Sequence, residues 1–141
     1  MATWTKFQDY AEQKNKAVHN WATHTFKIAL TNTAPVATQA TWNTTDHPAP
    51  AAANGYSAGG SATTITTSEV AGTMTVQGTQ IVFTATAGGI GPFRYAVLYN
   101  SSAADAAVAF TDYGSSITLN DGEPLTVKFN NASPGTIFTD S

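Results

Sequence analysis

The chain predicts a mainly β fold: an antiparallel β-sandwich or jelly-roll-like barrel, with one N-terminal α-helix and a long loop at about 36–60. Three observations carry that prediction. From residue 61 onward, short runs of alternating apolar and polar residues recur, each closed by Gly, Asn, Asp or Pro. Charged residues make up only 11% of the 141 positions, well under the usual quarter or so. Solubility therefore rests on Thr, Ser, Asn and Gln, residues that suit strands with neutral polar faces. Helical periodicity, finally, is confined to the first twenty or so residues.

Phe7, Tyr10, Ala11, Lys14, Val18 and Trp21 fall near helical spacing, with Lys6, Asp9, Glu12, Gln13 and Lys16 opposite. They predict a helix from about residue 6 to 20, with Thr5 as cap and Glu12–Lys16 as a favourable i,i+4 pair. Thr23 to Thr31 reads as a strand, Phe26, Ile28 and Leu30 facing one way, and Asn32-Thr33-Ala34-Pro35 closes it. Residues 36–60 carry so many Pro, Gly and Asn that they read as an extended arm or loop, with Trp42 and Tyr56 its large anchors.

The second half reads as a meander. Strands are expected over 62–67, 72–77 and 79–86, with Val76-Gln77-Gly78-Thr79 as a tight turn. Ala87 to Pro92 reads as a reversal that pairs strand 79–86 with the most apolar strand, Phe93 to Tyr99. In that strand Phe93, Tyr95, Val97 and Tyr99 are expected on one face, and Arg94, Ala96 and Leu98 on the other. Further strands follow at 107–113, 116–119 (after a turn at Gly114), 125–129 and, as a short edge, 136–139. The domain division is 1–21 helical segment, 22–35 first strand, 36–60 arm and 61–141 core, all in one domain.

Composition narrows the function classes. Net charge is −3 and the six basic residues are scattered, so no phosphate-binding stripe exists and nucleic acid is not an expected partner. No run of about 18 apolar residues marks a membrane span, and the N-terminus lacks the pattern of a secretory signal. Without cysteine there are neither disulfides nor thiolate metal sites. His19 and His24 stand five apart, which is not a metal-ligand spacing on one helical face, and Asp46-His47 lacks an evident nucleophile and orienting group. Asp121 and Glu123 read as turn carboxylates, and the glycines of 87–92 join two strands instead of opening a helix. No catalytic, cofactor-binding or metal-ligating residue is assigned, and an enzyme is not expected. Arg94, the only arginine, lies between Phe93 and Tyr95, and with Asp112 it forms a candidate structural ion pair. Trp4, Phe7, Tyr10, Trp21, Trp42 and Tyr56 are the candidate interface residues, because large aromatics are enriched at interface centres.

Several blocks carry a resemblance: Lys6-Phe7, Ala17-Val18-His19-Asn20, residues 27–35, Gly91-Pro92-Phe93-Arg94-Tyr95-Ala96-Val97-Leu98-Tyr99-Asn100 and residues 112–119. Together they make the chain resemble a family of small structural (virion) proteins of tailed bacteriophages, the Pro-Phe-Arg-Tyr block being the most specific part. Residues 36–60 take no part in the likeness. The resemblance implies a capsid decoration (cement) protein on the exterior of the virion head, bound to the major capsid protein or another virion protein. It implies a homo-oligomer, a trimer among the candidate forms, and brings no cofactor and no catalytic residue with it. The alternative is a tail-associated structural or carbohydrate- or receptor-binding module.

Overall fold

Strand β7 (Ile90–Asn100) carries the densest apolar run of the chain, and the rest of the fold packs on both of its faces. In the computed structural model, which describes residues 4–43, 50, 53–130 and 132–140, it lies at the centre of a five-stranded antiparallel sheet. Its neighbours are β2 (Phe26–Thr31) and β8 (Ala106–Leu119); β1 (Trp4–Lys6) pairs outside β8, and β3 (Ser61–Thr63) outside β2. A second sheet has the order β10–β5–β4, built from β4 (Ile65–Val70), β5 (Thr73–Gly78) and β10 (Gly135–Asp140). A third pairs β6 (Ile81–Thr84) with β9 (Pro124–Val127). The single helix among the described residues, α1, runs Tyr10–Asn15.

The large sheet packs face to face with the two smaller ones, as in a sandwich; there is no closed barrel, which removes the jelly-roll-like barrel alternative. Phe26, Ile28, Leu30, Phe93, Ala96 and Leu98 meet Ile81, Phe83, Val127, Phe129 and Phe138 in the main core. Ala29, Val97, Tyr99 and Ala107 point to the other face, where Phe7 and Trp42 cover them. The large sheet is thus buried on both sides, and each fully buried large apolar side chain contributes roughly 1.5–3 kcal/mol.

Several expectations are corrected. The periodicity over 6–20 yields a helix of six residues, because Trp4–Lys6 pairs as an edge strand and Ala17 takes a positive φ of 58° that ends helical geometry. Asp9, not Thr5, stands at the helix start, and it makes no side-chain cap. Strand 79–86 does not pair with 93–99: β6 pairs with β9, and the chain crosses from one layer to the other at 87–89. Gly89 makes that crossing possible, since its φ is +92° and a Cβ there would collide with the Leu119 carbonyl. Ile81, Phe83 and Ala85 still face β7, across the core instead of along a ladder.

The turn expected at Val76–Thr79 lies instead at Ala71–Gly72, and β5 runs through to Gly78. Gly114 does not end a strand: Phe93 pairs with Ile117 but Tyr95 with Asp112, so Tyr113 to Ser116 bulge within one long strand. That slip puts Phe93 on the same side as Ala96 and Leu98, opposite to Val97 and Tyr99. The arm expected at 36–60 is packed down at both ends; its middle, 44–49 and 51–52, lies outside the described residues.

Candidate functional site

Because Tyr113 to Ser116 bulge away, Arg94 stands beside Asp112 on the sheet surface. Arg94 donates from Nε to Asp112 Oδ1 at 2.7 Å and from Nη2 to Oδ2 at 3.0 Å, a bidentate fork. The Gly114 N–H donates to the same carboxylate at 2.7 Å. The Arg94 hydrogen bonds, and then that N–H, hold the Asp112 carboxyl below its usual range, while the carboxylate raises Arg94 further. Both side chains are about 40% exposed (38% and 41%), so the pair fixes the bulge and is screened by solvent.

The six aromatic interface candidates divide. Phe7, Tyr10, Trp42 and Tyr56 are buried in the chain's own packing (2%, 6%, 5% and 3% exposed), which removes them as contact residues of this fold. Trp42 stacks on Tyr99 at 4.5 Å, its indole N–H without an acceptor among the described residues. The Tyr56 hydroxyl accepts the Leu30 N–H at 3.0 Å, beyond the end of β3 where that donor has no strand to meet. Trp4 and Trp21 are half-buried: Trp4 donates to the Lys128 carbonyl at 3.0 Å, and Trp21 stacks on Phe26 at 4.1 Å.

Two further groupings join residues that the sequence does not place together. The first links α1, the 16–25 segment and the end of β7. The Asn100 amide nitrogen reaches His19 Nδ1 at 3.1 Å and His24 Nδ1 at 2.9 Å, while its oxygen accepts the Ser102 N–H at 3.0 Å. The Gln13 amide nitrogen donates to Asp9 at 2.6 Å and to the Ala40 carbonyl at 3.1 Å, and its oxygen meets His19 Nε2 at 2.8 Å. Each amide is oriented by a partner other than histidine, so every donor finds an acceptor only when His19 is neutral with its proton on Nε2. Burial, and then the neighbouring His24, push the His19 imidazole down to about 4. No spacing in the sequence announces this network, since Asn100 lies 81 positions from His19.

The second is a trough of about 280 Å³ between α1, Trp21 and the β5–β10 pair, lined by Tyr10, Lys14, Trp21, Met74, Val76, Phe138 and Asp140. Tyr10 stacks on Phe138 at 4.6 Å, and Lys14 Nζ sits 2.7 Å from an Asp140 oxygen at the rim. Burial pushes the Tyr10 hydroxyl up to about 12. Such a trough can hold a flat ligand face.

Among the described residues, no group of three or more His, Asp or Glu could hold a metal ion, and no helix is long and apolar enough to cross a membrane. Asp46 and His47 lie outside the described residues. Comparison with protein-family models, curated proteins and solved structures finds no match for this chain.

Proposed function

We propose that the chain is a bacteriophage virion structural protein: a head decoration (cement) protein on the capsid exterior, stabilising the assembled shell through non-covalent contacts. The observation that carries the reading is how the side chains are used. His19, His24, Arg94, Asp112 and four of the six candidate aromatics are engaged in the chain's own packing, while the Thr- and Ser-containing strand β4, with a single charge, Glu69, stands largely exposed. A rigid body with a low-charge contact element suits a protein whose work is mechanical. The blocks around Phe93–Arg94–Tyr95 that resemble tailed-phage structural proteins support the same reading.

Binding assembled shell but not free subunits stabilises the shell by mass action, and many copies strengthen weak contacts through avidity. The partner is then the major capsid protein or another virion protein, and the chain acts as a homo-oligomer. Imaging particles made with and without the protein, and heating both, tests this. Added density on the head and a higher rupture temperature are expected; particles that neither bind the chain nor gain stability would remove the reading. A second reading, a tail-associated carbohydrate- or receptor-binding module, is favoured by the Tyr10–Trp21–Phe138 trough, whose ring faces and polar rim suit a sugar. Glycan-array binding lost on Trp21→Ala would support it over the first.

A further inference from the structure

We propose that the outer edge of β4 pairs antiparallel with β4 of a second copy of this chain, joining two three-stranded sheets into one continuous sheet across a two-fold axis.

An open strand edge invites pairing, and proteins that stay apart blunt their edges with brevity, bulges, Pro or Lys. The other edges of the described fold carry such devices. β1 and β3 are three residues long, β10 has a register break between Thr136 and Phe138, and β6 and β9 are four residues long, β9 starting with Pro124. β4 has none: Ile-Thr-Thr-Ser-Glu-Val pairs with β5 over six unbroken positions, and none of its six residues is buried. Among the described residues, no backbone hydrogen bond reaches it from its outer side.

The hairpin geometry says which groups are open. Ala71 and Gly72 both have positive φ (51° and 82°), a two-residue turn that makes Val70 and Thr73 a hydrogen-bonded pair. Alternation along an antiparallel ladder then turns the N–H and C=O of Ile65, Thr67 and Glu69 outward. The Thr79 N–H bond to the Thr64 carbonyl fits the same phase. A two-fold axis perpendicular to the sheet preserves its faces, so it must bring together residues of like parity. An axis at Thr67 sets Thr67 against Thr67, Thr66 against Ser68 and Ile65 against Glu69 of the second copy. All outward groups are then paired, and the one charge of the strand never opposes itself. This self-complementarity is what favours a second copy over a different partner. The contact is smaller than a standard interface, so association is weak and concentration-dependent when chains are free, and stronger where copies are held side by side.

The inference concerns the isolated chain, so its test stands or falls separately from capsid binding. Sedimentation of the full chain over rising concentration is expected to show the mass climbing from 14.7 kDa toward twice that value. Thr67→Lys and Thr67→Glu each place like charges across the axis and are expected to weaken association about tenfold or more, with unchanged melting in dilute solution. Mixing the two variants restores it, which only a Thr67–Thr67 contact explains. On the wild-type chain, amide signals of Ile65, Thr67 and Glu69 shift with concentration, a readout that needs no variant. A wild type that stays monomeric, variants that associate as the wild type does, or a mixture that fails to recover would each overturn the proposal.

Discussion

Strands β2 (Phe-Lys-Ile-Ala-Leu-Thr) and β4 (Ile-Thr-Thr-Ser-Glu-Val) are both six residues long, yet five of six positions are buried in β2 and none in β4. The difference lies in what covers them. β2 has the β5–β10 and β6–β9 pairs over one face and Phe7 and Trp42 over the other, held by the ends of the 36–60 segment. The β4–β5 hairpin pairs with β10 on one side and, among the described residues, has no strand outside β4. Stability in this fold therefore belongs to the covered strands, β5 among them, while β4 adds surface at little cost to the core.

The sharpest way to break that contrast is a core truncation. Phe93→Ala, at a fully buried position, is expected to cost about 3–5 kcal/mol in urea unfolding, whereas Val70→Thr, at 73% exposure, stays within about 0.5 kcal/mol. Equal effects would contradict the division of labour. Next in size is Gly60→Ala, expected to cost more than about 1 kcal/mol. Gly60 has φ +81°, and a Cβ there would strike the Ile28 carbonyl, so the substitution lifts the loop from β2. A variant as stable as the parent would show that the loop is not seated as described.

A smaller effect sharpens the comparison through pH. The folded state holds His19 down to about 4, below the ordinary 6.5. The unfolded chain thus binds the proton more readily, and the stability from neutral His19 is complete above about pH 6.5 and lost as pH falls toward about 4. Melting temperature should drop across that window in the parent and drop less in His19→Asn, so the gap between the two narrows toward pH 4 and is constant above about pH 7. The smallest expected effect is that of Arg94→Ala: a slight loss of melting temperature that shrinks further in high salt, since both partners are exposed.

Much of the layer content was legible from the chain alone. Phe26, Ile28 and Leu30 alternate as a strand must, the turn at Asn120–Gly122 is where its residues point, and Arg94 with Asp112 is a pair that a lone arginine among aromatics invites. What was not legible depends on partners distant in sequence. The glycines at 87–91 fit a hairpin or a crossing between layers equally well, and only the Leu119 carbonyl beside Gly89 decides. Trp42 and Tyr56 sit among Pro, Gly and Asn that read as an arm, but Tyr99 and the Leu30 N–H draw them onto the sheet. The periodicity from Phe7 to Trp21 holds only in part: Phe7 and Tyr10 are buried and Trp21 stacks on Phe26, but Ala11 and Lys14 are exposed while Gln13, expected on the polar side, is buried by its bonds to Asp9, Ala40 and His19. The histidine network has no local signature at all.

The body of the molecule holds and the β4 edge reaches, and amide hydrogen exchange at two protein concentrations tests that division most directly. In dilute solution the amides of Ile28, Leu98 and Val97 should exchange only through global unfolding, while Ile65, Thr67 and Glu69 exchange freely. Raising the concentration should slow those three and leave the β2 and β7 amides unchanged. Protection that is uniform across both regions, or outer β4 amides indifferent to concentration, would contradict it.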